Sequence, residues 1–294
     1  MPNRTVGRNS VSAFRLVPST LQCRIALRLS ALLLCGMLGN AAAAEVFDTP
    51  VTVVHAKTPL KHPEPGQKHI LTCFYYPGLR VKQLDLGEVG AAQLALLPLK
   101  PGAPRIACKE SSEPGEIVIP GKEWSGYFDG VKGDWAFFTA EDGTNGGLGF
   151  AVFDGHTGRK LFEDLAVGKL RAAEPTPTGL RLRYRRAVAG KCSIPAAGDK
   201  CWTQIVATLP GVPATPVPGC KTGYLKAKTA MARGRCEAQS SKTPACFERE
   251  MKILDEQRWD EAPSVIGYDV VAEVGSAAAV TKPAGGTLSC WPSD

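Results

Sequence analysis

The sequence predicts a mainly β protein: antiparallel sheets, then a C-terminal disulfide-linked αα-hairpin and a final strand. Three observations carry that expectation. Short runs of strand-like composition are separated by Gly, Pro, Asp and Asn clusters. Helix-length apolar periodicity is absent before about Gly223. Ten cysteines are present, of which eight follow an N-terminal leader.

The leader is read from residues 1–44. They carry Arg4, Arg8, Arg15, Arg24 and Arg28 and no acidic residue, then an apolar run from Ile25 to Leu38 and the small residues Ala41 to Ala44. That order is the n-region, h-region and cleavage pattern of a signal peptide, with the cut expected after Ala44. Arg28 interrupts the run, which is shorter than the ~20 residues a spanning helix needs. No transmembrane segment is therefore expected after signal cleavage. Leu34 is bulky where a lipidation signal wants a small residue before the cysteine, so Cys35 is read as part of the leader. The expected location is periplasmic or secreted. Without the leader, 30 basic residues face 28 acidic ones, so the formal charge falls from +7 to +2. The basic footprint of a nucleic-acid-binding protein is then missing, and no nucleic-acid partner is expected.

Residues 45–70 read as an extended lead-in, rich in proline and polar residues from Lys57 to Gln67. Residues 71–218 read as a β-rich domain that begins within the run HILTCFYY. The runs QLALLPL, EIVIP, WAFFTA, LGFAVFD, LRLRYRRAV and WTQIVATL are its further expected strands. Those at Gln93, Gly149 and Thr203 recur near every 55 residues, a spacing that hints at repeated sheet units. Between Phe150 and Phe162, Gly155 and Gly158 permit the positive φ of a tight reversal, and Leu161 with Phe162 begins a return strand. With Asp154, Thr157, Gly158 and Leu161 at matching positions, this turn resembles the D-x-x-T-G-x-x-L turn of quinoprotein-type β-propeller blades. The resemblance implies a blade-like hairpin in which the Asp and Thr side chains satisfy turn backbone groups, and it carries over no cofactor residue. The sheets are expected to form a sandwich or a partial propeller-like array. The whole chain also resembles, in general character, exported proteins of Gram-negative bacteria, which implies a location and no activity.

Residues 219–294 read as a helical hairpin plus a C-terminal strand packed on the β domain. GYLKAKTAMARGRCEA suits one helix. TPACFEREMKILDEQRW suits another, with Thr243 as cap, Pro244 in the first turn, Phe247, Met251, Leu254 and Arg258 on one stripe, and Glu248 and Lys252 four apart outside. SVIGYDVVAEV is the last expected strand. An even cysteine count in an exported chain reads as four disulfides. Cys192 and Cys201 flank a short loop between two strand-like runs, and Cys236 and Cys246 flank the turn between helices, so each is paired with its neighbour. Cys73 with Cys108 would close the first strand unit, leaving Cys220 for Cys290. No close C-x2-C pair supports zinc instead.

Candidate chemistry is sparse. DGTNGGLG, from Asp142, lacks the Lys-Ser/Thr end of a phosphate loop, Gly143 spoils a calcium loop, and no G-x-S-x-G or H-E-x-x-H motif occurs. No cofactor is expected. His55, His62 and His69 recur every seven residues near Cys73, a transition-metal pattern, but Pro59, Pro63 and Pro65 prevent a helix from aligning them. Arg181, Arg183 and Arg185 alternate along one strand face, a positive ridge suited to an anionic glycan, lipopolysaccharide or an acidic protein. Such a row also guards a sheet against aggregation. Trp124, Tyr127, Phe128 and Trp135 could stack on a sugar or fill a core. Asp129 and Asp134, with Glu141 nearby, are the carboxylates a glycoside hydrolase would use. The expected function is an exported, disulfide-stabilised binding or interaction protein of the cell envelope, of a class that includes inhibitors and immunity proteins. Its partner is an envelope component or another protein. The alternatives are an envelope-polymer hydrolase and a periplasmic metal binder.

Overall fold

The computed structural model describes residues 45–57, 69–100, 102, 107–144, 146–240 and 242–293. The expected leader and His62 lie outside the described residues.

The first sheet is an antiparallel meander of five strands in chain order: β1 (Thr52–Lys57), β2 (Ile70–Tyr75), β3 (Leu79–Asp85), β4 (Gln93–Pro98) and β5 (Ile117–Ile119). The lead-in thus contributes the edge strand β1, with His55 opposite Thr72. The second sheet holds β6 (Gly126–Lys132), β7 (Trp135–Thr144), β8 (Gly147–Asp154), β9 (Lys160–Ala166), β10 (Ala172–Thr176), β11 (Gly179–Ala189), β12 (Ser264–Gly275), β13 (Ala279–Pro283) and β14 (Ser289–Pro292). Its main path runs β13-β12-β11-β9-β8-β7-β6, while β10 also pairs with β11 and β14 with β12. Neither sheet closes.

Alternation along β7 and β8 explains the layering. Ala136, Phe138, Ala151 and Phe153 point to one side and meet Leu79, Val81, Leu94, Leu96 and Ile119 of the five-stranded sheet. Phe137, Phe150 and Val152 point to the other, where Leu180, Leu182, Tyr184, Val270, Ala272 and Val274 complete a second core. The Phe150 and Tyr184 rings stand 5.0 Å apart. Between β9 and β10 the chain turns a corner: Val167 N–H and Arg171 N–H donate to Arg185 O and Arg183 O, so the segment stays bonded to β11 while leaving β8. Face-to-face packing of this kind is a sandwich arrangement.

The Asp154 turn is the expected hairpin. Asp154 Oδ1 accepts from His156 N at 2.9 Å and Thr157 N at 2.8 Å, and Thr157 Oγ1 accepts from Arg159 N at 3.4 Å. Gly158 takes φ 68°, which a side chain would disfavour. Burial alone would raise the Asp154 carboxyl, but the Thr157 and His156 donors hold it below the ordinary carboxylate value.

One expected strand is a helix. WTQIVATL lies in and just after α1 (Ile194–Val206), which Ser193 caps through Ala196 N at 3.3 Å and which is interrupted at Gly198. Thr203, Ile205 and Val206 favour a strand by type, yet Cys201, Trp202 and Ile205 are buried at helical spacing against the second core. The 55-residue spacing therefore fails at Thr203, and Cys192 and Cys201 join a strand end to a helix instead of bridging two strands.

Among the described residues the other α-helices are α2 (Lys221–Ala238) and α3 (Pro244–Glu256), the expected hairpin, with Thr243 capping α3 through Cys246 N. The buried stripe of α3 is Cys246, Glu250 and Leu254: Leu254 lies on it as expected, Phe247 and Met251 are half-buried beside it, and Arg258 falls beyond the helix end in a left-handed conformation, φ 55°. Lys252 lies 3.8 Å from Glu256 in place of a pair with Glu248. The four disulfides are Cys73–Cys108, Cys192–Cys201, Cys220–Cys290 and Cys236–Cys246. No helix among the described residues is long and apolar enough to cross a membrane.

Candidate functional site

Antiparallel register assembles the arginine face. Arg181, Arg183 and Arg185 of β11 lie opposite Glu273, Val271 and Asp269 of β12, and Arg181 and Arg183 lie opposite Glu174 and Ala172 of β10. Lys282 of β13 extends the Arg183 row across Val271. The ridge expected from sequence thus exists, but acids share it.

Its members differ in what they have left to offer. Arg185 is only 18% exposed; its Nη1 donates to Asp269 Oδ1 at 2.9 Å and its Nη2 to Gly267 O, Thr287 O and Ser289 Oγ, each at 2.8 Å. It is a clamp between β12 and the segment entering β14. Arg181 Nε donates to Glu273 Oε1 at 2.7 Å, a bond that holds its guanidinium above the ordinary range. Arg183 is 55% exposed, with its nearest acid, Glu174, at 4.0 Å. Arg171, just before β10, is 54% exposed and spends Nη1 on Asp269 Oδ2 at 2.9 Å. Arg171 and Arg183 flank a depression of about 660 Å³ that Ala172, Tyr184, Val271 and Ala284 also line, together with Asp269, whose carboxylate Arg171 and Arg185 already hold. With Asp269 neutralised by Arg171 and Arg185, the N–H donors left on Arg171 and Arg183 suit a carboxylate, sulfate or phosphate bound in bidentate fashion. Arg171 was missed in the sequence; the Pro-Thr-Pro-Thr-Gly turn that folds it back beside Arg183 is the signal that could have found it.

The aromatic residues do not form a platform. Trp124 and Phe128 pack on the core between the sheets, Trp135 packs on the opposite core, and the Tyr127 hydroxyl accepts from Gly90 N at 2.8 Å. The three carboxylates are engaged separately. Asp129 opens into a cavity of about 500 Å³ with residues 45–50 and Lys169; burial raises its carboxyl, and Lys169 opposes the shift. Asp134 pairs with His156 at 3.2 Å, and Glu141 accepts from Ser125 Oγ at 2.8 Å. His55 Nδ1 meets Thr72 Oγ1 at 3.1 Å, while His69 Nδ1 is buried without a hydrogen-bond partner among the described residues. Among the described residues no group of three or more His, Cys, Asp or Glu could hold a metal ion.

Comparison of the chain with protein-family models, with curated proteins and with solved structures finds no match.

Proposed function

We propose that the chain is an exported, disulfide-stabilised binding protein of the periplasm or the extracellular space, which engages an anionic envelope component or an acidic protein surface through Arg171 and Arg183. The observation that carries the reading is the contrast along one face: Arg181 and Arg185 are consumed by Glu273 and Asp269, whereas Arg183 retains its donors at 55% exposure. The four disulfides support an oxidising compartment.

The test is surface plasmon resonance of residues 45–294 over immobilised lipopolysaccharide and, separately, immobilised poly-glutamate. Binding to one of them should weaken with salt, and Arg183→Glu should lower it at least ~10-fold, about 1.4 kcal/mol. Equal binding by the wild type and the folded Arg183→Glu variant would remove the cleft from the function.

A further inference from the structure

A second pair of cations lies on β3, hidden. Leu79 and Val81 face the core between the sheets, so Arg80 and Lys82 face the other way, yet Arg80 is 1% exposed and Lys82 is fully buried. Residues 107–116 cover them. Glu116 reaches back with Oε2 at 2.5 Å from Arg80 Nη2 and Oε1 at 2.5 Å from Lys82 Nζ. Ala107 O accepts from Arg80 Nη1 at 3.3 Å, and Glu110 O and Ser111 O accept from Lys82 Nζ at 3.2 and 3.3 Å. The covering segment is itself acidic, with Glu110, Glu113 and Glu116 against Lys109. Cys73, directly opposite Lys82 in the β2–β3 register, pins it through Cys108.

The arrangement is incomplete as a structural brace. Two buried cations face one carboxylate, which leaves an excess positive charge where an unpaired ion is costly. Among the described residues the buried Arg80 Nε has no hydrogen-bond partner, and Glu116 Oε1 meets Lys82 without hydrogen-bond geometry. Donor capacity is left over, and negative charge is what would fill it.

We infer that Arg80 and Lys82 form an anion site for a carboxylate-bearing peptide, held shut by residues 107–116 as a tethered acidic flap that opens when Cys73–Cys108 is reduced. The reductant is an extracytoplasmic dithiol oxidoreductase. Its thiolate attacks Cys108, the sulfur nearer the surface, and the electron pair of the S–S bond leaves on Cys73, which takes up a proton. Its second thiol resolves the mixed disulfide, so the reductant ends as a disulfide and the protein carries two thiols. Glu116 can then leave, and an acidic side chain of a partner takes its place between the two cations.

The test uses residues 45–294 as a Cys73→Ala/Cys108→Ala variant, with a synthetic peptide of residues 110–116 as probe. Hydrogen exchange across 107–116 should rise while β2 to β4 stay protected. The peptide should bind the variant and not the oxidised wild type, and adding Arg80→Met should weaken that binding at least ~10-fold. A flap that stays protected, or one that opens without binding the peptide, overturns the proposal. Should the double variant fail to fold, Cys108→Ser, which keeps Cys73 as a thiol, decides: the peptide should raise its Tm by at least ~3 °C and leave the oxidised wild type unmoved. Equal response of the two proteins overturns the site.

Discussion

Arg80 with Lys82, and Arg171 with Arg183, are two cation pairs on outward sheet faces that meet opposite fates. The first is sealed by an acidic segment and fully removed from water; the second keeps half its surface exposed beside small apolar residues. In β3 and in β11 alike, cations alternate with apolar residues. The difference shows that alternation assigns a side chain to a face and is silent about what later covers that face. Buried ions must be paired to be tolerated, whereas exposed ones need nothing and remain available for a partner.

That contrast can be broken most severely at Glu116. Glu116→Ala strands two buried cations and should cost ~3–5 kcal/mol, whereas Arg183→Ala at the open site should change stability by no more than about 0.5 kcal/mol. Urea melts of the two variants measure both, and similar midpoints would erase the distinction. Lys82→Met sharpens it, because removing the surplus charge with an apolar chain of similar length should cost far less than Glu116→Ala.

A middle case separates clamp from ridge. Arg185→Ala removes donors to four acceptors that join β12 to the segment entering β14, and should cost about 1.5–3 kcal/mol. Arg181→Ala, which breaks one half-exposed pair, should cost clearly less than Arg185→Ala. Thermal melts at matched pH decide, and equal losses would mean that Arg185 is no more structural than its neighbour.

The smallest effects lie in pH. The Asp154 carboxyl is held below its ordinary value of 3.8, so its contribution is present above pH 3.8 and is lost as pH falls through the lower folded value. Asp129 is shifted the other way: its folded form prefers the proton, and stability declines as pH rises from 3.8 through the raised value. Asp129→Asn should therefore give a slight rise in Tm at pH 7, and Asp154→Asn a fall there. Melts at pH 3 and pH 7 read both signs, and a fall for Asp129→Asn would show that the carboxylate is welcome in its cavity.

Much of the architecture was legible because its causes are local. Turn residues at Asp154 to Gly158 and period-two alternation in LRLRYRRAV placed a hairpin and an arginine face, and the order of neighbouring elements paired the cysteines. The helix at 194–206 was hidden because β-branched Thr203, Ile205 and Val206 favour a strand by type, which masked the helical spacing of Cys201, Trp202 and Ile205. The Arg80, Lys82 and Glu116 cluster was invisible for a different reason. Its carboxylate lies 36 positions from Arg80, and only the path of residues 107–116 across the five-stranded sheet brings it back. The Arg171 cleft is half legible: Arg183 stands in the alternating row, whereas Arg171 precedes β10 and only the turn between β10 and β11 brings it alongside.

The pairing of Cys220 with Cys290 has a consequence for biogenesis. Cys236 and Cys246 are joined inside the 70-residue span that this bond closes, so one crosslink is nested within the other. A chain oxidised in the order in which its cysteines emerge would join Cys220 to Cys236 first, leaving Cys246 and Cys290 to each other. The native pattern therefore requires that Cys220 wait unbonded until the last strand arrives, or that a wrong bond be exchanged afterwards. Gly223 marks where the two ends meet: a Cβ there would stand 1.8 Å from the Cys290 carbonyl, so α2 and β14 lie against each other with no side chain between them beside this bond. Maturation of this protein is thus a problem of timing, in which the bond to Cys290 is made last or is reached by exchange.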